Sequence, residues 1–223
     1  MRQLKLFIMS LTILVLMAGC GSGSSSQDTP NDTLRIACVG DSITEGYGLE
    51  NPDAESYPAQ LAGLVSDGGT VQNFGTLGGP TLIKAGARSY WDSDMYKSSL
   101  SFNPDIVVIM LGTNDMQDVN FANRDDIVGD YKALIESYRS LNSQPIIYIC
   151  FPPPSYGSVQ GITNDRIVGV LLPKLREVAN QNSVSVIDMY TLLSNKRELF
   201  PDKLHPNVKG ASKMANEVYA TVY

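Results

Sequence analysis

Three residues in this chain have the side-chain types needed for nucleophilic catalysis. Ser42 lies in the segment GDSITEG, directly after an apolar run, where a strand-to-helix turn would expose its hydroxyl group. His205, the only histidine of the chain, follows Asp202 by three residues and precedes a proline. An aspartate at this spacing can orient the imidazole, which then accepts the serine proton. Each signal alone is weak, because Gly-Asp-Ser also suits a helix N-cap and a lone histidine is more often structural.

Two further segments could supply hydrogen-bond donors to a developing negative charge. The segment NFGTLGG, at residues 73–79, contains glycines whose backbone N–H groups can approach a ligand closely. Asn114, in the segment LGTND, carries an amide that could donate to the same oxyanion. Taken singly, the first segment could be a plain turn and the second could simply cap its loop.

Together, the four segments resemble the SGNH hydrolases, also called the GDSL esterase/lipase family. They occur in the order of that family: GDSIT at 40–44, NFGTLGG at 73–79, GTND at 112–115 and DKLHPN at 202–207. The resemblance covers the chain from about residue 33 to its end. Isoleucine at position 43, where the family nickname has leucine, is a common exchange. Leucine at position 77, where many members have serine, leaves Gly75 and Gly79 as alternatives to Gly78.

The resemblance implies a serine esterase that works through an acyl-enzyme intermediate. Ser42 would be the nucleophile, His205 the general base and Asp202 the residue that orients the base. The backbone N–H groups of Ser42 and Gly78, with the side-chain amide of Asn114, would form the oxyanion hole. No cofactor and no metal are expected. A phosphoesterase site with two metals normally takes several histidines among its ligands, and this chain has one.

The elements that must position these residues alternate between short apolar runs and amphipathic stretches. This alternation predicts an α/β fold, a three-layer α/β/α sandwich with a flavodoxin-like parallel sheet of five strands. Ligands of such sheets bind where the strands end, and the polar, glycine-rich segments lie there. The predicted strands are 34–39, 71–74, 106–111, 146–151 and 184–187, and the predicted helices are 57–65, 92–101, 127–141, 166–180 and 207–222.

The first 32 residues do not read as part of this domain. Residues 1–20 combine an early positive charge, an apolar run and the ending Met-Ala-Gly-Cys, which is typical of a lipoprotein signal peptide with Cys20 as the acylated residue. An ordinary cleaved signal that happens to contain a cysteine is the alternative. Residues 21–32 contain almost no apolar side chain and predict a flexible linker. We therefore expect an exported protein anchored by lipid to a bacterial membrane, with its catalytic domain at residues 33–223.

The composition and net charge of the chain limit the kinds of partner that it is expected to bind. Hydrophobic residues make up 43% of the chain and charged residues 18%, which is typical of a globular protein. The net charge of −6 and the lack of a basic run argue against nucleic acid or anionic lipid as partners. Membrane contact would then come from the N-terminal lipid only. The sequence leaves open the oligomeric state and whether Cys38 and Cys150 form a disulfide.

The substrate is the least determined property. The pattern GDSITEGYG followed by SYPAQLAGL is similar to the carbohydrate acetylesterase branch of the family, which implies an oligosaccharide or small-molecule O-acetyl ester as substrate. Lysophospholipase or thioesterase activity is the alternative, followed by a glycan-binding lipoprotein without activity. Several aromatic, acidic and proline residues could line the site or belong elsewhere: Tyr90, Trp91, Pro152–Pro154, Asp53, Glu55, Tyr57 and Tyr156.

Overall fold

Five parallel strands form the central sheet of the protein. The computed structural model describes residues 33–65, 68–77, 82, 84 and 88–223, and residues Thr33–Tyr223 belong to one unit by their internal contacts. The strands pair in the order β2-β1-β3-β4-β5, all parallel, as predicted for a flavodoxin-like sheet. Their bounds are β1 Arg35–Gly40, β2 Thr70–Gly75, β3 Ile106–Met110, β4 Ile146–Phe151 and β5 Ser185–Asp188.

Helices cover both faces of the sheet, which explains why the inner strands are apolar at nearly every position. In the part of the chain that the structure describes, the α-helices are α1 Ser42–Glu45, α2 Pro52–Glu55, α3 Tyr57–Leu64, α4 Asp94–Ser101, α5 Ile127–Arg139, α6 Asn164–Arg166, α7 Leu172–Asn182, α8 Met189–Leu193 and α9 Val208–Val222. None of the described helices is both long and apolar enough to cross a membrane.

Alternate residues of β1 point into two separate cores. Ala37 and Val39 pack in the core formed with α5 and α7, whereas Ile36 and Cys38 pack in the core formed with α3, α8 and α9. This two-residue period is the ordinary consequence of strand geometry. The result is the predicted three-layer sandwich, with all of its strand-ending loops at one edge of the sheet.

The helix predicted at 166–180 is more complex than its amphipathic pattern indicates. The chain forms α6, then a π-helical turn at Ile167–Leu171, and then α7. In the π-helical turn the Leu172 N–H donates to the Ile167 carbonyl, five residues earlier. Pro173 follows and has no N–H to donate, so the regular α-helical bond is missing at that point.

The two cysteines inside the domain are free thiols buried in the sheet. Cys38 lies on β1 and Cys150 on β4, with β3 between these strands. Two strand spacings amount to roughly 9–10 Å, which exceeds the Cα separation of a disulfide. Burial raises the pKa of the Cys38 thiol to about 12, so it stays protonated. The question that the sequence left open is therefore answered: these cysteines act as small apolar core residues.

Several predicted features lie outside the described residues. These are the signal peptide with Cys20, the linker at 21–32, and Gly78 in the loop after β2.

Candidate active site

Ser42 is presented by a sharp turn between β1 and α1. Gly40 ends the strand, and a Cβ atom on it would lie 2.1 Å from Thr44 Oγ1 and 2.8 Å from the Met110 carbonyl oxygen, so only glycine fits. The carboxylate of Asp41 caps α1 by accepting the Ile43 N–H at 2.9 Å. Ser42 is thereby the first residue of a helix, where the backbone N–H has no acceptor within the helix itself.

Ser42, His205 and Asp202 form a continuous line of hydrogen bonds. Ser42 Oγ lies 2.9 Å from His205 Nε2, and His205 Nδ1 lies 2.6 Å from Asp202 Oδ2. The other carboxylate oxygen of Asp202 accepts the backbone N–H groups of Leu204 at 3.0 Å and His205 at 2.7 Å. The aspartate is thus fixed by the same turn that carries the histidine. These are the contacts expected of a nucleophile, its base and the residue that orients the base.

The electrostatics of Asp202 suit this role. Partial burial alone would raise its pKa, but the hydrogen bonds from the backbone N–H groups of His205 and Leu204 and from the imidazole outweigh it and lower the pKa. Asp202 therefore stays ionised near neutral pH and can stabilise an imidazolium beside it. The turn itself is tied to the loop after β4, because the Tyr156 N–H donates to the Lys203 carbonyl at 2.8 Å.

Tyr47 covers one side of the imidazole, a contact that the sequence did not suggest. The ring centroids of Tyr47 and His205 are 4.6 Å apart with an interplanar angle of 53°, and Tyr47 is 52% exposed. Its position five residues after Ser42, beyond the end of α1, is the local signal that could have pointed to it.

Asn114 approaches the same cavity from the end of β3. Gly112 turns the chain there with a φ of 111°, a conformation that favours glycine. The Gln117 side-chain amide donates to Asn114 Oδ1 at 2.8 Å, and the Asn120 side-chain amide donates to the Asn114 carbonyl at 3.0 Å. Because Asn114 Oδ1 accepts from Gln117, the group with which Asn114 can act on a substrate oxygen is its NH2 donor. The sequence did not point to Gln117, which lies one helical turn after Asn114.

Two carboxyl groups are buried beneath the site. Asp41 and Asp115 are almost fully inaccessible to solvent. Burial raises the pKa of Asp41 to about 7; the hydrogen bond from the Ile43 N–H opposes this rise, and the negative charge of Asp115 adds to it. Asp41 Oδ2 has no hydrogen-bond partner among the described residues. Asp41 therefore gains and loses its proton near neutral pH without contacting the cavity.

The cavity in front of Ser42 has a volume of about 370 Å³, within the usual range for small-molecule sites. Its lining mixes hydrogen-bonding side chains with a few apolar ones. The lining residues are Ser42, Tyr47, Asn114, Gln117, Val159, Gln160, Ile162, Asp202, Leu204 and His205. Among the described residues, no group of three or more His, Cys, Asp or Glu side chains is arranged to hold a metal ion.

The aromatic residues that could have lined the site are absent from the lining of this cavity. Tyr90 is 0% exposed, and its hydroxyl donates to the Phe74 carbonyl at 2.8 Å. The indole N–H of Trp91 donates to the Leu82 carbonyl at 3.0 Å, and its ring packs against the core. The remaining candidates are also absent from the lining: Asp53, Glu55, Tyr57, Pro152–Pro154 and Tyr156. Of the two possibilities left open for Tyr90, the structure thus supports a core position.

Known proteins resemble this chain over most of its length. The model of the GDSL-like lipase/acylhydrolase family matches residues 38–213. An acetylxylan esterase of Xylanibacter ruminicola is 33% identical over 93% of this chain and 47% of its own length. The cellulase/esterase CelE of Acetivibrio thermocellus is 31% identical over 56% of this chain and 18% of its own length. The chain thus spans about half the length, or less, of these curated relatives.

Solved structures share the fold. A carbohydrate acetylesterase family member from Sinorhizobium meliloti superposes with a TM-score of 0.68 at 19% identity, covering 85% of this chain and 97% of that one. The native aryl esterase of M. smegmatis gives a TM-score of 0.67 at 18% identity over 85% and 98% of the two chains. The sheet order, the segments around Ser42, Asn114 and His205, and the matching family model lead to one conclusion. This chain belongs to the GDSL-like lipase/acylhydrolase family.

Proposed function

We propose that this protein is a serine esterase that removes O-acetyl groups from carbohydrates through an acyl-enzyme intermediate. The observation that carries the proposal is the hydrogen-bonded line from Ser42 through His205 to Asp202 at the wall of an open cavity. Ser42 is the nucleophile and His205 is the general base. Asp202 orients the imidazole of His205 and stabilises its positive charge when it is protonated.

In the first half of the reaction, Ser42 Oγ attacks the ester carbonyl carbon while its proton passes to His205 Nε2. The carbonyl oxygen becomes an oxyanion, which the backbone N–H of Ser42 and the side-chain NH2 of Asn114 can stabilise. A backbone N–H of Gly78 is the third proposed donor, expected from the family resemblance. The C–O bond of the ester then breaks, and His205 gives the proton to the departing sugar oxygen, which leaves as a hydroxyl group.

In the second half, water replaces the sugar. His205 takes a proton from that water, whose oxygen attacks the acetyl carbon bound to Ser42. The same donors stabilise the second oxyanion; when it collapses, the bond between the acetyl carbon and Ser42 Oγ breaks, His205 gives its proton to Ser42 Oγ, and acetic acid leaves and ionises to acetate. Asp202 stays ionised throughout and stabilises the imidazolium in both halves.

The lining of the cavity supports an acetylated sugar over a lipid. Its polar side chains include the amides of Gln117 and Gln160 near the nucleophile, which suit the hydroxyl groups of a sugar. The apolar part consists of Val159, Ile162 and Leu204, a small surface against which to bury a long acyl chain. The acetylxylan esterase of Xylanibacter ruminicola, at 33% identity, supports the same direction. Lysophospholipase or thioesterase activity is the alternative.

The acyl-chain profile on nitrophenyl esters from acetate to decanoate tests this proposal, with Ser42→Ala measured alongside. We expect the highest kcat/KM on acetate, near-complete loss in Ser42→Ala, and release of acetate from acetylated xylan by the wild type. A maximum at long acyl chains would move the enzyme to the lipid-directed alternative. Full activity of Ser42→Ala would overturn the mechanism.

The proposed location rests on the sequence of the N-terminus. Acylation of Cys20 would tether the enzyme to the bacterial envelope, where polymeric acetylated sugars are met. Labelled palmitate should enter the wild-type protein and not Cys20→Ala, and the variant should leave the membrane fraction. Equal labelling of both proteins would contradict the lipid anchor.

A further inference from the structure

A second cavity lies beside the catalytic one and has no role in the proposed chemistry. Its volume is about 450 Å³, and its lining is mostly polar. The lining residues come from two stretches of the loop after β4, from α6, and from α8 and the two residues after it: Pro154–Gly157, Thr163–Asp165, Tyr190, Ser194 and Asn195.

Asn164, one of the lining residues, has an unmet hydrogen-bonding capacity. Asn164 Oδ1 is buried and has no hydrogen-bond partner among the described residues. The other end of the same amide donates to the Tyr190 hydroxyl at 3.1 Å, which fixes the side chain. A buried acceptor without a donor is unfavourable, and such atoms usually receive a hydrogen bond from water or a ligand.

The loop between β4 and α6 forms the wall between the two cavities. Val159 and Ile162 pair as an antiparallel bridge at its tip and line the catalytic cavity. Its two flanks line the second cavity. Ile162 and Thr163, which line different cavities, are consecutive residues, so their Cα atoms are about 3.8 Å apart. The two cavities therefore lie next to each other along this loop, at a separation within the length of a ligand of a few sugar units.

Charge and ring chemistry define the kind of ligand. Among the residues that the structure describes, Asp165 is the only charged one in the lining, which disfavours phosphate or carboxylate groups. The remaining side chains offer hydroxyl and amide groups together with the partly exposed ring of Tyr190, a combination that suits neutral sugars. We propose that the second cavity is a subsite for the unmodified main chain of a neutral oligosaccharide whose acetyl ester lies at Ser42. This inference rests on the proposed function for the choice of substrate.

Direct binding of unacetylated xylo-oligosaccharides of increasing length tests the subsite without requiring hydrolysis. Titration calorimetry on the full-length protein should show affinity that rises with chain length. Asn164→Ala should bind about 3- to 10-fold more weakly, the usual effect of one lost hydrogen bond. Asn164→Asp keeps an acceptor at this position and should retain most of the affinity. Asn180→Ala, exposed on α7, is the matched control.

Turnover of nitrophenyl acetate, a substrate too small to reach the second cavity, should be unchanged in Asn164→Ala and thereby shows that the variant is folded. Absence of binding by the wild type, or equal affinity in Asn164→Ala, would overturn the subsite and leave a water-filled cavity only. Binding that is intact in a protein unable to release acetate from acetylated xylan would instead overturn the proposed function and retain the subsite.

Discussion

Replacing Asp202 by asparagine tests the hydrogen-bonded line at its most informative point. Asp202 Oδ1 accepts two backbone N–H groups, while Oδ2 faces His205 Nδ1 at 2.6 Å. An asparagine at position 202 must place its side-chain oxygen where it accepts these two backbone N–H groups. In the reverse orientation its NH2 group, which is a donor, would face two other donors. The NH2 group then faces Nδ1 and donates to it, which moves the imidazole proton to Nε2. In that tautomer Nε2 points an N–H at Ser42 Oγ and cannot accept the serine proton.

The expected loss is about 1,000- to 10,000-fold in kcat, the size found when a catalytic histidine is held in the wrong tautomer. Stopped-flow or steady-state hydrolysis of nitrophenyl acetate measures it, with the unfolding midpoint in urea as a check on the fold. Asp188→Asn is a matched control, because Asp188 also caps a turn by accepting the backbone N–H of Thr191 at 2.8 Å but lines no part of the catalytic cavity. An Asp202→Asn variant that keeps more than about a tenth of the activity would refute the proposed role of the tautomer.

Three further predictions concern the surroundings of Ser42. Asn114→Ala should lower kcat on nitrophenyl acetate by about 100- to 1,000-fold with little change in KM, because it removes one oxyanion donor; a change confined to KM would contradict this role. Gly40→Ala should destabilise the fold by about 1–3 kcal/mol in urea unfolding, because its Cβ would collide with Thr44 and the Met110 carbonyl; unchanged stability would show that the turn can relax. The free energy of unfolding should fall as pH rises from about 4 to 7, because the folded-state pKa of Asp41, about 7, is raised from 3.8 and the folded protein holds this proton more tightly. The loss in the free energy of unfolding is at most about 4 kcal/mol. In urea titrations at several pH values, Asp41→Asn should remove this part of the pH dependence. If the free energy of unfolding of Asp41→Asn depends on pH as in the wild type, other groups cause the dependence.

The sheet was the most predictable part of the structure. Strands buried on both faces are apolar at consecutive positions, so β3 and β4 could be placed to within a residue. The geometric rule that ligands bind where parallel strands end then predicts the position of the cavity. The contacts among Ser42, His205 and Asp202 follow from the same rule together with the short spacing between the last two.

The rest of the site depends on loops whose packing leaves no periodic signal in the sequence. Tyr47 contacts His205 only because α1 ends after one turn, at Gly46 with a φ of 101°. Gln160 reaches the cavity from the tip of a loop whose course is set by a single antiparallel bridge. Conversely, the sequence allows Tyr90 to be a surface residue near the site, whereas in the structure it is buried in the core. These outcomes are decided by tertiary contacts.

The separation of the proposed catalytic residues along the chain has a consequence for folding. The hydrogen bond between Ser42 and His205 joins residues 163 positions apart, the first strand-ending turn and the turn before the last helix. The residue that orients the base lies in that same late turn, so base and orienting acid arrive together. During synthesis the nucleophile has no base until α9 emerges and docks against α3. If the proposed mechanism holds, ester hydrolysis requires this long-range contact, so the rate at which activity returns on refolding reports the formation of the contact between the two turns.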